Sequence, residues 1–112
     1  MTAKMDITRM QDTAEEVSRH MKALSSPTRL MLLCHLSDGE KSVGQLCALV
    51  GMKPPAASQH LTRLRQDGTL TSRRDGQTVF YKIADPNITR IMQFLYDTFC
   101  GPDAMSKGAT DA

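Results

Sequence analysis

The 112-residue chain is long enough for one domain, and no apolar run approaches the roughly 20 residues that a membrane-spanning helix needs. Residues 41–83 hold seven basic and two acidic side chains, so they carry +5 while the whole chain carries only +2. The odd number of cysteines (three) argues against a disulfide framework, and the N-terminus has no apolar signal-peptide core. We therefore expect a cytoplasmic protein whose basic segment either binds a polyanion or is a solvated face without a partner.

Two helices are predicted in the first third of the chain, after a flexible N-terminus at residues 1–9. Apolar side chains recur at helical spacing over Met10–Leu24, which predicts an amphipathic first helix. Ser26 before Pro27 is a favourable helix start, so a second helix should run to Leu36. Its apolar residues surround nearly the whole circumference, and we expect it to be central and buried.

The middle of the chain predicts a helix-turn-helix followed by a β-hairpin. Ala57, Leu61 and Leu64 should face the core on the second of these helices, the recognition helix. In order, the predicted elements are a short helix, a tight break, the recognition helix, and two strands joined by a turn: Ser42–Val50, Gly51-Met52, Pro54–Asp67, Leu70–Arg74, Asp75-Gly76 and Gln77–Ile83.

This order, with its basic charge, favours DNA as the partner. On the recognition helix, Gln59 can pair with adenine and Arg63 can reach guanine or a phosphate. The β-hairpin is the wing, and its polar residues should contact phosphates or the minor groove. For His60, a structural role as a hydrogen-bonding residue on the flank of the helix and a contact with a base are equally favoured. The predicted DNA-binding residues are Lys53, Pro55, Ser58, Gln59, His60, Thr62, Arg63, Arg73, Arg74 and Gln77.

A last helix is predicted over Pro86–Phe99 with Asp85 as its N-cap, and residues 101–112 are expected to form a disordered tail. The first and last helices offer more apolar surface than one small domain needs, which favours a symmetric dimer over two helices that only close the monomer core. In such a dimer, two recognition helices could enter successive major grooves about 34–36 Å apart. The expected fold for residues 10–100 is mainly α with a small β-hairpin: a winged helix-turn-helix of about five helices, dimeric through the first and last.

Five stretches together resemble the ArsR/SmtB family of winged-helix repressors: ALSSPTRL at 23–30, SVGQL at 42–46, ASQHL at 57–61, RRDGQ at 73–77 and FY at 80–81. The resemblance covers about residues 17–100 and implies a homodimer that represses its operator until an inducer releases it. Some members bind metal through a Cys-x-Cys pair or through Asp and His on the last helix.

Neither of these metal sites is complete in this chain. Ser42 and Gly44 replace the cysteine pair, and Asp85 is present without the other ligands of the last-helix site. The three histidines share no metal-ligand spacing with one another or with a cysteine pair. We therefore expect no metal and no cofactor.

Two of the cysteines, Cys34 and Cys100, resemble the dithiol of the family's sulfide- and persulfide-responsive branch, the BigR/SqrR/HlyU-like regulators. The resemblance implies that a disulfide or polysulfide bridge joins them and that the repressor then leaves DNA. Reactive sulfur species would be the inducer. Either cysteine alone would be interpreted as a small buried hydrophobe, and Cys47 is interpreted in that way.

Three alternatives remain open. The same fold could respond to a metal ion or to general oxidants through its cysteines. It could also be a DNA-binding protein without a switch. A thiol oxidoreductase would be an enzyme, but the chain lacks Cys-x-x-Cys and any βαβ pattern, so we expect no enzyme.

Overall fold

The computed structural model describes residues 7–101, which form five helices and a three-stranded antiparallel sheet. In chain order the elements are α1 (Ile7–Ala23), α2 (Pro27–Leu36), β1 (Lys41–Ser42), α3 (Val43–Val50), α4 (Pro54–Gln66), β2 (Leu70–Asp75), β3 (Thr78–Ile83) and α5 (Pro86–Phe99). The predicted winged helix-turn-helix is therefore confirmed. Residues 1–6 and 102–112, where a flexible N-terminus and a disordered tail were predicted, lie outside the described residues. None of the described helices is long and apolar enough to cross a membrane.

Side-chain caps fix the starts of the helices that flank the sheet, as the sequence predicts. The Ser26 hydroxyl accepts a hydrogen bond from the Arg29 amide at 3.3 Å, one residue before α2 begins at a proline. Asp85 accepts a bond from the Asn87 amide at 2.9 Å in the same way at the start of α5. Each cap satisfies an amide that the first helical turn leaves without a partner.

The first helix starts earlier than predicted. It begins at Ile7 and not at Met10, so residues 7–9 are helical where flexible chain was expected. Ile7 lies three residues before Met10 and therefore extends the same apolar stripe by about one turn. The helix ends at Ala23, one residue before the predicted end at Leu24.

The turn of the wing was misplaced by one residue. Asp75 is still paired with Thr78, so the two central residues of the hairpin are Gly76 and Gln77, not Asp75 and Gly76. Gly76 has φ +65° while Gln77 has a negative φ. A two-residue turn with glycine first and positive φ only there is what a type II′ hairpin requires. For the same reason Asp75 belongs to β2, and Gln77 does not belong to β3.

A third strand, β1, was not predicted. Its two residues pair with the centre of β3, Lys41 with Tyr81 and Ser42 with Phe80, and give the strand order β1-β3-β2. The strand joins the wing directly to the start of α3, because Ser42 is also the N-cap of that helix.

The core lies between the helices and the inner face of the sheet. Its largest fully buried side chains come from α2, α3, α4 and α5: Leu32, Leu33, Leu46, Leu61, Leu64 and Ile88. Helix α2 is mostly covered, but not around nearly its whole circumference as expected, since Met31 remains 46% exposed. Helix α1 contributes only Ala23 to the buried set, so it lies at the edge of the domain.

Candidate functional site

The turn between α3 and α4 positions the recognition helix. Gly51 ends α3 with φ +74°, and its amide donates to the Cys47 carbonyl at 2.9 Å. A left-handed residue at this place reverses the chain without steric cost only if it is glycine. At the other end of α3, Ser42 and Gln45 form reciprocal side-chain caps of 3.1 and 2.8 Å. Both ends of α3 are therefore fixed.

Helix α4 separates its buried and exposed faces cleanly. Ala57, Leu61 and Leu64 are fully buried, as predicted. The outer face forms a shallow concavity of about 460 Å³ lined by Ser58, Gln59, Thr62, Arg63 and Gln66. Four of these five were predicted to bind DNA. Gln66 was not among the predicted residues, and its spacing from Thr62 places it one turn further along the same face.

The remaining predicted residues of α4 lie at its beginning and on its side. Lys53 is the N-cap and makes no side-chain capping bond, and Pro55 is exposed in the first turn. The two prolines at the start have no amide hydrogen, which reduces the number of unpaired donors at this helix end. His60 is half-buried on the flank of the helix, a position compatible with either role considered for it.

The two arginines of the wing lie on opposite faces of the sheet. Arg73 is paired with Phe80 across β2 and β3, and Arg74 with Val79. Directly opposed residues share a face, and successive residues alternate between faces. The two arginines therefore do not form the single basic cluster that their adjacency in sequence suggests.

Arg73 is already engaged within the chain. Its Nε and Nη2 atoms donate to the two carboxylate oxygens of Glu40 at 2.8 Å each. Its guanidinium carbon lies 4.4 Å from the centroid of the Phe80 ring. The hydrogen bond from Arg73 lowers the pKa of the Glu40 carboxyl and, reciprocally, raises the pKa of Arg73. The side chain spans the sheet from β2 across β3 to the residue before β1.

Arg74 and Gln77 remain available at the tip of the wing. Both are exposed, and Arg74 has no ion-pair partner within residues 7–101. The contact between Arg73 and Glu40 joins residues 33 positions apart, and no local pattern in the sequence indicates it. Of the two arginines, Arg74 is therefore the one free to contact a phosphate without first breaking a contact.

Cys34 lines an open cleft of about 450 Å³ between α2, α3 and α5. Tyr96 of α5 lines the same cleft, and the Cys100 amide donates to the Tyr96 carbonyl at 2.7 Å. Cys100 is the C-cap of α5 and follows Tyr96 by four residues, about 6 Å of helical rise. Both thiols are free; Cys34 is half-buried and Cys100 is exposed.

Cys47 lies elsewhere. It is half-buried, and its side chain packs against the core from α3. Its backbone carbonyl accepts the amides of Gly51 and Met52 at 2.9 and 3.2 Å and so helps to close the turn. This surrounding agrees with the interpretation of Cys47 as a packing residue.

Comparison with known proteins identifies the family. Residues 26–72, which span α2 to the start of β2, match the profile described as "Bacterial regulatory protein, arsR family". The chain is 40% identical over 94 residues to the biofilm growth-associated repressor of Agrobacterium fabrum, covering 84% of this chain and 80% of that protein. The chain belongs to the arsR family of bacterial regulatory proteins. It is thus a DNA-binding transcriptional regulator.

Solved structures of other family members share the whole fold. The transcriptional repressor BigR from Xylella fastidiosa superimposes with a TM-score of 0.79 at 38% identity, over 86% of this chain and 98% of that one. A homodimeric winged helix-turn-helix domain from Mycobacterium bovis superimposes with a TM-score of 0.70 at 30% identity, over 88% and 89%. The arsR-family fold therefore includes α1 and α5 as well as the helix-turn-helix.

Proposed function

We propose that this arsR-family protein is a homodimeric repressor that leaves its operator when reactive sulfur species link Cys34 to Cys100. The observation that carries the proposal is the cleft between α2 and α5: Cys34 lines it, and Cys100 follows one turn after Tyr96 of the same cleft. A bridge would join the central helix of the domain to the end of α5. Similarity to repressors of the same fold supports operator binding as the activity that the bridge would control.

The proposed chemistry balances with a persulfide as the oxidant. The thiolate of one cysteine attacks the sulfane sulfur of RSSH and releases RSH, and the other cysteine displaces hydrogen sulfide from the resulting protein persulfide. Two protein thiols and one RSSH thus give one disulfide, one RSH and one hydrogen sulfide. Each sulfur atom added to the bridge consumes one more RSSH and releases one more RSH.

The length of the sulfur bridge bears on whether the protein distinguishes sulfur donors from other oxidants. A direct disulfide requires Cα atoms within about 7 Å, and each additional sulfur atom lengthens the link by roughly 2 Å. A cleft between two helices accommodates such extra atoms without repacking the core. A sulfur donor can therefore form links that a simple two-electron oxidant cannot.

The dimer is proposed through α1 and α5, whose outer faces are apolar in the monomer. On α1, Met10, Val17 and Met21 are 47%, 42% and 46% exposed, and on α5 Phe94 and Phe99 are 63% and 69% exposed. These exposed side chains extend over the two helices at the edge of the domain, which indicates a surface that another chain covers. The similar domain from Mycobacterium bovis is homodimeric, which supports a homodimer for this chain.

A matched pair of variants tests this interface. Met21 on α1 and Met31 on α2 are each 46% exposed, so a glutamate costs little within either monomer. Met21→Glu should give monomers by light scattering after size exclusion, while Met31→Glu should stay dimeric. A dimer that survives Met21→Glu but not Met31→Glu would move the interface to α2.

Intact-mass spectrometry and operator affinity, measured on the same samples, test the switch. Reduced protein is treated with an organic persulfide or with a disulfide-forming oxidant. We expect the persulfide to remove two hydrogens, with or without added sulfur, and to lower operator affinity. Cys34→Ser and Cys100→Ser should each abolish both effects, and Cys47→Ser should abolish neither.

Other outcomes contradict the proposal in different ways. Equal release by the disulfide-forming oxidant would indicate a general oxidant sensor. Unchanged operator affinity in a fully bridged protein would indicate a DNA-binding protein without this switch. A mass change confined to Cys47 would remove the Cys34–Cys100 dithiol from the mechanism.

A further inference from the structure

A partly buried histidine near the end of α1 lies close to two carboxylates. The Nε2 atom of His20 lies 3.3 Å from Oδ2 of Asp85, the N-cap of α5, and 3.8 Å from Oε2 of Glu16, one turn earlier on α1. One donor atom from each of the three residues lies within 4.8 Å of the other two. The His20 side chain is only 14% exposed, and that of Asp85 is 24% exposed.

The Nε2 atom of His20 has no hydrogen-bond partner although it is buried from solvent. Of the two nearby carboxylate oxygens, Oδ2 of Asp85 at 3.3 Å lies within hydrogen-bond distance but forms no hydrogen bond with Nε2, and Oε2 of Glu16 at 3.8 Å lies beyond that distance. Buried polar atoms in folded proteins are nearly always satisfied by protein, water or an ion. A nitrogen without a partner that lies close to two carboxylates is therefore a candidate ligand of a bound ion.

The two distances from His20 Nε2 to the carboxylate oxygens fit a small cation. In a tetrahedral site with metal–ligand bonds of about 2.1 Å, neighbouring ligand atoms are about 3.4 Å apart. The observed 3.3 Å and 3.8 Å lie close to this value. The longer distance ends on Glu16, whose side chain is 53% exposed and can adjust its rotamer.

The carboxylate of Asp85 is fixed by its capping role. Its Oδ1 atom accepts the Asn87 amide at 2.9 Å, so the other oxygen, Oδ2, is held towards His20. Outer hydrogen bonds of this kind orient the ligands of metal sites. Glu16 and His20 are four residues apart on α1 and therefore share one face of that helix.

We propose that Glu16, His20 and Asp85 form a binding site for a divalent transition-metal ion of the Zn²⁺ type. One imidazole and two carboxylates are common ligands of such ions, and the two negative charges offset the charge of the ion. Three protein ligands leave a fourth position for water. The ion would join α1 to the start of α5. This donor set comes from two elements 65 residues apart in sequence, which is why ligand spacing along the chain did not reveal it.

Zinc affinity, measured by competition with a chromophoric chelator on the full-length reduced protein, tests the site. The wild type should bind one Zn²⁺ per chain that His20→Gln loses, with an affinity drop larger than the roughly 10–100-fold expected for losing an outer partner. Asp85→Asn should also weaken binding by at least about tenfold, and because asparagine is a good N-cap it keeps α5 intact. Glu15→Gln, beside the site on α1, is the matched control and should bind as the wild type does.

Cobalt spectroscopy separates this site from the cysteines. Co²⁺ at the proposed site should give ligand-field bands without a thiolate-to-cobalt charge-transfer band, and the spectrum should be unchanged in Cys34→Ser/Cys100→Ser. A charge-transfer band, or loss of binding in that double variant, would assign the ion to the thiols and overturn the proposal. So would wild-type protein that binds no Zn²⁺, in which case His20 serves only as an ion-pairing residue between the carboxylates.

Discussion

The neighbouring arginines of the wing should differ in their effect on DNA binding. Arg74 is exposed and has no ion-pair partner in the described part of the chain, whereas Arg73 donates both of its hydrogen bonds to Glu40 at 2.8 Å. Only a cation that is free before binding gains a full phosphate contact. We therefore expect Arg74→Ala to change the salt dependence of operator binding strongly, and Arg73→Ala to change it little.

The magnitude follows from counterion release. Each phosphate contact contributes about −0.9 to the slope of log affinity against log salt concentration. The proposed dimer has two wings, so Arg74→Ala removes two contacts and flattens the slope by about 1.8. Over a fourfold change in salt, from about 50 to 200 mM, the wild type should lose about 12-fold more affinity than the variant.

Fluorescence anisotropy with a labelled operator, at four or five salt concentrations, measures these slopes. Glu40→Gln provides an internal test, because it keeps the size of the side chain but releases Arg73. The slope for Glu40→Gln should be steeper than for the wild type, and the double variant Glu40→Gln/Arg73→Ala should return it to the wild-type value. Circular dichroism of each variant verifies that the fold is retained.

Equal slope changes for Arg73→Ala and Arg74→Ala would refute this reasoning, since the contact with Glu40 would then not hold Arg73 away from DNA. An unchanged slope for Arg74→Ala would remove Arg74 from the phosphate contacts altogether. A Glu40→Gln slope equal to that of the wild type would mean that Arg73, once free, does not reach the backbone.

Three further perturbations test other parts of the molecule. Gln59→Ala should remove about 1–3 kcal/mol of discrimination at one base pair per half-site; competition with single-base operator variants measures it, and an unaltered preference would show that Gln59 reads no base. Leu46 is fully buried, so Leu46→Ala should lower the free energy of unfolding by about 2–5 kcal/mol in urea titrations; a loss below about 1 kcal/mol would contradict tight packing there. The pKa of Glu40 is lowered in the fold by its hydrogen bond from Arg73, so its stabilising effect is present above the ordinary pKa of 4.5 and is lost as pH falls through the lower folded value. The stability difference between wild type and Glu40→Gln should therefore shrink in acid, and a difference that grows there would reverse the sign of this linkage.

Local signals in the sequence predicted the helices well. Proline after a serine or aspartate marks the starts of α2 and α5, and the structure shows both caps. The buried stripe of α4 also followed directly from helical spacing. These features depend on residues within a few positions of one another, so one sequence contains all the information they need.

Features that depend on distant residues were not predictable. Strand β1 has two residues, too few for any alternation, and exists only because β3 offers a free edge. The turn of the wing was placed one residue early because Asp-Gly is a common hairpin pair, whereas here the cross-strand pair of Asp75 and Thr78 decides the register. The partner of Arg73 and the group around His20 likewise join separate parts of the chain.

Ser42 belongs both to strand β1 and to the start of α3, and this has a mechanical consequence. Its backbone belongs to β1 and pairs with Phe80 in the wing, while its hydroxyl caps α3. The wing and α3 therefore share Ser42. A rotation of one relative to the other would break either the strand pairing with Phe80 or the cap of α3. Each reading head behaves as one lever, and a signal at α5 reaches DNA as a change in the distance and angle between two heads, with the surface of each head left unaltered.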